Sequence, residues 1–324
     1  MNPVDPVNTK KTIDSINSID PINSTNSTNL SFRTPLFAAF CAIGIAVFSG
    51  PLQELASLSL HDDLYSHIGL IPPFSFAIIY LKRRQIFRDI EYAPAKGAAV
   101  ILTGLVLLLI SKIFQPDFSA DTFLTFCISG YVIWTIGSFI GFYGSASFRK
   151  AKFSLLFLLF IVPIPPFVLD RLVSFLQNMT AEVVDLIFSV IGLPYFRHGT
   201  IFQLPEMTIQ VAEQCSGIRS GLALIVATTA AGYVFLESGW RRLILVMAII
   251  PIAIFKNALR IATLTLLAAY VDPVWLTDSW LHRAGGKPFF FLALLLWSPI
   301  LWLLWRSEHK RLKKEGSEKW LKVQ

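Results

Sequence analysis

The stretch Val211–Phe235, VAEQCSGIRSGLALIVATTAAGYVF, decides the fold. From Ser216 to Leu236 its only charged residue is Arg219. About 20 mainly apolar residues are what a helix needs to cross the hydrocarbon core of a bilayer. The residues before Ser216 are more polar and end on Cys215. The stretch therefore reads as the end of an outer segment joined to a membrane span, with Cys215 at the joint.

Composition extends this reading to the whole chain. The 324 residues are 54% hydrophobic and 15% charged, against about 25% charged in soluble domains. Apolar segments recur at 35–50, 67–81, 97–114, 122–143, 153–169, 216–236, 243–271 and 288–305. The expected fold is all-α and polytopic, with about eight transmembrane helices in one membrane domain over 34–305. Residues 1–33 include SINSIDPINSTNSTNLS (15–31), rich in Asn, Ser and Thr. They have few large apolar groups to bury and are expected to form a disordered tail. The N-x-S/T matches at Asn23, Asn26 and Asn29 carry no weight, because such composition generates them freely. Residues 306–324 form a basic tail.

The net charge of +7 is distributed in short clusters between apolar runs. This assigns it to loops and lipid headgroups rather than to nucleic acid. LKRRQIFR (81–88), FRKAK (148–152), WRR (240–242) and RSEHKRLKKEGSEKWLK (306–322) follow alternate spans. The intervening QELASLSLHDDLYS (53–66) and QPDFSAD (115–121) carry no Lys or Arg. The positive-inside rule then places both termini in the cytoplasm, in a multi-pass protein of the cytoplasmic (inner) membrane.

The longest outer segment runs from 170 to 214. In LVSFLQNMTAEVVDLIFSVI (172–191) apolar residues recur at helical spacing, which predicts an amphipathic helix ended by Gly192 and Pro194. GTIFQLPEMTIQVAEQ (199–214) predicts a small β-hairpin turning at Pro205-Glu206 and leading into Cys215.

Ionisable groups in or beside apolar spans mark functional sites. Cys215 precedes a helix N-terminus, and Arg219 follows one turn later. Both features favour a thiolate. Arg260 lies in KNALRIATL (256–264), with Asn257 three residues before it and Lys256 one turn below. Eighteen residues separate it from Arg242, a climb of roughly 27 Å at about 1.5 Å per residue, close to the outer edge of the bilayer. His282 lies in the outer loop VDPVWLTDSWLHRAGGKP (271–288). Taken singly, each has an ordinary explanation. A cysteine packs at a helix start, an arginine snorkels, and a loop histidine is solvated. Together they bring a nucleophile, a proton carrier and an oxyanion partner to one depth.

Other features are weaker. Cys41 and Cys127 lie in apolar segments as small hydrophobes, and three cysteines in all form no disulfide framework. His61, Asp62, Asp63 and His67 match no metal-site spacing and read as a solvated loop. No Gly-rich phosphate loop, H-E-x-x-H or G-x-S-x-G occurs, so no metal and no cofactor is expected.

At these residues the chain resembles the exosortase/archaeosortase family of membrane-embedded cysteine transpeptidases. QCSGIRSG (214–221) resembles that family's Cys-Ser-Gly signature, NALRI (257–261) its N-x-x-R segment, and His282 stands at the place of its third catalytic position. DLYSHIGLIPPFSFAIIYLKRR (63–84) is similar to its early SHG-x-L-x-P region, with Ile68 inserted between His67 and Gly69. LFLLFIVPIPP (156–166) resembles the Pro-rich end of its fifth span. The resemblance implies a cysteine protease and transpeptidase that acts in protein sorting. It would cleave the C-terminal tails of exported proteins, each a short signature (PEP-CTERM-like), a transmembrane helix and a basic cluster. It implies a thioester at Cys215, catalytic roles for Arg260 and His282, and supporting, substrate-binding roles for Arg219 and Asn257. A lipid or glycan acceptor would take the acyl group at the outer face. Two other readings stay open on the residues alone: an anion transporter or channel lined by Lys256, Arg260 and His282, and a non-catalytic scaffold of an exopolysaccharide or secretion complex.

Overall fold

The computed structural model describes residues 21–62, 64–88, 90–211, 218–277 and 287–321, with side chains from Arg33 onward except at 219, 276–277, 287 and 312–321. It comprises two compact units, Met1–His61 with Ile68–Pro165, and Asp62–His67 with Pro166–Gln324.

In the first unit, α1 (Pro21–Val47) meets α2 (Ser49–His61) at 79°. The bend falls beside Gly50-Pro51, where proline removes a helix N–H and its ring crowds the preceding turn. Phe48 at the corner is fully buried. α1 reaches back to Pro21, into the segment expected to lack order. Helix grows readily onto a turn already nucleated, and the run between Pro21 and Pro35 contains no glycine or proline.

A 3-10 turn (Ile68–Leu70) leads into α3 (Ile71–Leu81), with proline in its first turn. α4 (Pro94–Ile113) then packs along α5 (Ala120–Phe157), whose first turn is capped by Ser119 accepting from the Thr122 N–H at 3.3 Å. α5 kinks at Gly144, φ 84°, where a side chain would meet the Glu91 carbonyl. Its second arm ends in a 3-10 turn (Leu158–Ile161), closed off by Pro163 and Pro165.

The α4–α5 contact depends on glycines. A Cβ on Gly104 would lie 2.6 Å from the Gly130 carbonyl oxygen, and one on Gly130 would lie 2.7 Å from the Gly104 carbonyl oxygen. Backbone approach of this kind is the usual means by which helices pack within lipid. Gly130→Ala is therefore expected to cost roughly 1–3 kcal/mol, as overpacking does. Gly50→Ala, whose Cβ meets nothing within 4 Å, is neutral. Melting temperatures of the detergent-solubilised variants check the difference.

The second unit holds α6 (Pro166–Ile191), three short strands, α7 (Ile218–Phe235), α8 (Gly239–Met247), α9 (Ile249–Tyr270) and α10 (Lys287–Leu321). β1 (Phe196–His198), β2 (Ile201–Gln203) and β3 (Thr208–Gln210) form an antiparallel sheet in the order β1-β2-β3. The register pairs Phe202 with both Arg197 and Ile209. The turn over Pro205-Glu206 is present, with the Leu204 N–H donating to Met207 O at 2.8 Å. The predicted hairpin thus gains a third strand. Its connection to β2 turns at Gly199, φ 62°, a conformation that side-chain-bearing residues rarely adopt. The amphipathic helix is also longer than 172–191, because no helix breaker separates Pro166 from Gly192.

Among the described residues, five segments are long and apolar enough to cross a membrane: Pro94–Ile113, Ala120–Ile161, Pro166–Ile191, Gly239–Tyr270 and Pro288–Arg311. The bent pair α1–α2 adds a sixth if it counts as one broken span. The segments expected at 67–81 and 216–236 are apolar helices of shorter length. The fold is an all-α polytopic membrane fold with one small sheet.

One buried carboxylate ties the second unit together. Glu308 on α10 is 4% exposed. It accepts from the Glu237 and Ser238 N–H groups at 2.9 and 2.8 Å and from Arg241 at 3.1 Å. It thereby satisfies donors at the α8 N-terminus that would otherwise be orphaned. Glu308→Ala is expected to cost roughly 2–3 kcal/mol, because two N–H groups at the α8 N-terminus and the half-buried Arg241 guanidinium lose their acceptor. Thermal unfolding of the purified variant measures this.

Candidate active site

α9 carries the site and is held from two sides. Ala258 and Ala262 pack into a core with Ala181, Val184 and Phe188 of α6 and Phe202, Ile209 and Val211 of the sheet segment. Ile249 and Ile252 pack with Leu224 of α7 and Ala293 of α10. Small residues on one face let α6 and the sheet approach the α9 backbone closely.

The sheet is locked to α6 by polar contacts. Arg197 pairs with Glu182 at 2.6 Å and Asp185 at 3.4 Å. The Glu182 hydrogen bond holds the Arg197 pKa above its usual value. The Tyr195 hydroxyl donates to Asp185 Oδ1 at 2.7 Å, and burial raises its pKa. Gln177 Nε2 donates to the Val211 carbonyl at 3.1 Å, and the Val211 N–H donates to Thr200 O at 3.0 Å. Val211 is thus fixed four residues before Cys215, and α7 begins three residues after it.

Lys256 and Arg260 lie one turn apart on α9. Lys256 is 5% exposed and donates to Ser220 Oγ at 2.6 Å. Ser220 sits in the first turn of α7, so this bond sets the start of α7 level with that turn of α9. Asn257 beside it is fully buried. The Arg260 Nε is shielded and has no hydrogen-bond partner among the described residues. No carboxylate pairs with Lys256 or Arg260 among them. Holding a buried and a half-buried cation one turn apart is costly in a low-dielectric setting. Lys256 meets the first turn of α7, and that helix N-terminus is itself electropositive. Such a place stabilises an anion, whether a thiolate, a carboxylate or the oxyanion of a tetrahedral intermediate.

Of the residues singled out in the sequence, the structure brings Asn257 and Arg260 together on α9. Arg219 lies in the first turn of α7, its side chain outside the described set. Cys215 and His282 lie outside the described residues. The Lys256–Ser220 bond went unseen in the sequence, where Ser220 was only one small polar residue in a span. In the 61–67 loop, His61 Nδ1 lies 2.9 Å from Ser57 O, Asp62 accepts from the Leu64 N–H at 2.8 Å, and Asp63 is outside the described residues. His67 departs from the solvated reading: it is half-buried, its Nδ1 is shielded, and burial lowers its pKa. No metal-binding cluster occurs among the described residues.

No curated protein and no solved structure matches the chain. A family described as "Transmembrane exosortase (Exosortase_EpsH)" matches residues 57–299. That range holds most of both units, including the paired α4–α5 helices, the sheet and the cation pair on α9. With three quarters of its length matched, the chain belongs to the transmembrane exosortase family, a family of membrane transpeptidases.

Proposed function

We propose that the protein is a cysteine transpeptidase of the cytoplasmic membrane that removes the C-terminal sorting tail of exported proteins. The tail comprises a signature of PEP-CTERM type, a transmembrane helix and a basic cluster. The Cys215 thiolate attacks the carbonyl carbon of the scissile peptide. Arg260 stabilises the resulting oxyanion. His282 returns a proton to the departing amine, leaving a thioester on Cys215 and a freed tail. An acceptor nucleophile, a lipid or glycan group, then attacks the thioester, loses its proton to His282 and regenerates the thiolate. Arg219 and Asn257 support the site. Both termini face the cytoplasm, and the site opens to the outer face.

The family match over 57–299, a range that contains Cys215, Arg260 and His282, carries this reading. Lys256 and Arg260 on α9, which no carboxylate pairs among the described residues, support it, since an oxyanion site needs such groups in place before reaction. The test is expression of the full chain with an exported protein bearing a sorting tail, followed by mass spectrometry of the exported protein. The expected result is loss of the tail only when the chain is present. An intact tail in both cases overturns the reading.

A further inference from the structure

The first unit contains a groove of about 940 Å³ between α1, α3 and both arms of α5. Its walls are apolar, and hydroxyls along it are spent internally. Ser75 Oγ donates to Ser154 O at 2.7 Å, and Thr135 Oγ1 donates to Tyr131 O at 3.0 Å. The interior therefore suits hydrocarbon, because a polar occupant would go unsatisfied there. One end differs. Arg83 and Arg84 line it, just past the end of α3, and both are exposed. Arg83 donates to Tyr80 O at 2.9 Å and stacks over the Tyr80 ring at 4.1 Å. Neither arginine pairs with a carboxylate among the described residues.

We propose that this groove is a binding site for an anionic phospholipid. The acyl chains lie along α1 and α3, and the phosphate meets Arg83 and Arg84. The headgroup then sits in the leaflet that the basic loop 81–88 faces, which the charge pattern makes the cytoplasmic one. The rival occupant is an apolar transmembrane helix with a basic end. Charge disfavours it: its basic end would face two arginines across a short gap, and like charges so placed repel. An anionic headgroup gains about a factor of five in affinity for each basic residue near it. The site is independent of the transpeptidase reading, since no residue assigned to that chemistry lines it.

The test uses the full chain purified in mild detergent, with native mass spectrometry and thermal unfolding as readouts. Phosphatidylglycerol and phosphatidylcholine with the same acyl chains are titrated in turn. Phosphatidylglycerol is expected to bind once per chain and raise the Tm, and phosphatidylcholine to bind at least tenfold more weakly. Arg83→Gln with Arg84→Gln should erase that preference while leaving the groove intact. Ala42→Trp, which fills the groove, should displace both lipids. Leu109→Trp, on the exposed face of α4, should not. Equal affinity for the two lipids, or a preference that survives the double arginine variant, overturns the proposal. So does cross-linking from Cys41, which lines the groove, to the helix of a bound tail peptide.

Discussion

Cys215→Ala is expected to abolish tail removal, lowering its rate by roughly a thousandfold or more, as loss of a covalent nucleophile does elsewhere. The variant should insert and unfold like the parent, because a cysteine-to-alanine change deletes a single heavy atom. The other two cysteines provide the contrast. Cys127 is fully buried, with its Sγ 3.2 Å from Ser111 Oγ. Cys41 lies half-buried on α1, against the groove of the first unit. Both belong to the unit that does not contain α9, and neither is assigned to the chemistry, so Cys41→Ala and Cys127→Ala should retain full processing. Alkylation supplies a second readout. A water-soluble maleimide applied from the outer side should inactivate the parent and leave Cys215→Ala unlabelled. The anion-transport and scaffold readings predict no effect of the substitution on their own outputs. Full processing by Cys215→Ala would remove the thioester mechanism.

The sequence makes the candidate residues of this site legible and leaves the contacts between helices concealed, for physical reasons. A charged residue inside an apolar run is visible because nothing else in the run resembles it. Arg260, Lys256 and Asn257 therefore stand out from sequence alone. The Lys256–Ser220 bond joins two helices 36 residues apart in sequence, and periodicity within each helix says nothing about which faces meet. Glu308 is hidden for a related reason. In RSEHKRLKKEGSEKWLK it is one of three acids among many bases and reads as part of a basic tail, whereas the structure buries it at the start of α8. The fold follows the same pattern. Apolar runs show where helices form, yet hydropathy does not separate a long crossing from a short helix such as α3 or a bent pair such as α1–α2. The third strand escapes notice because three residues, Phe196–His198, are too few for alternation to show.

Substitutions on α9 separate charge from architecture. Arg260→Lys keeps the positive charge but loses the planar fork that can donate two parallel hydrogen bonds to one oxygen-bearing group. Processing is expected to fall by roughly 10²–10³, the usual loss for one oxyanion donor, and Arg260→Gln should fall at least as far. A wild-type rate for Arg260→Lys would reduce the role of Arg260 to charge alone. Lys256→Met removes the second cation. A buried ammonium costs desolvation, and an apolar replacement of similar volume is often neutral or stabilising. The Tm of Lys256→Met should therefore stay level or rise, while processing falls by roughly tenfold as the site loses positive potential. Ser220→Ala keeps that charge and removes only its hydrogen bond, so its loss should be smaller than that of Lys256→Met. Matching losses of stability and activity in Lys256→Met would mean that the lysine holds α7 to α9 and nothing more. A gain in stability joined to a loss of activity assigns Lys256 to the reaction, because a lysine kept only for folding would not be surpassed in stability by methionine.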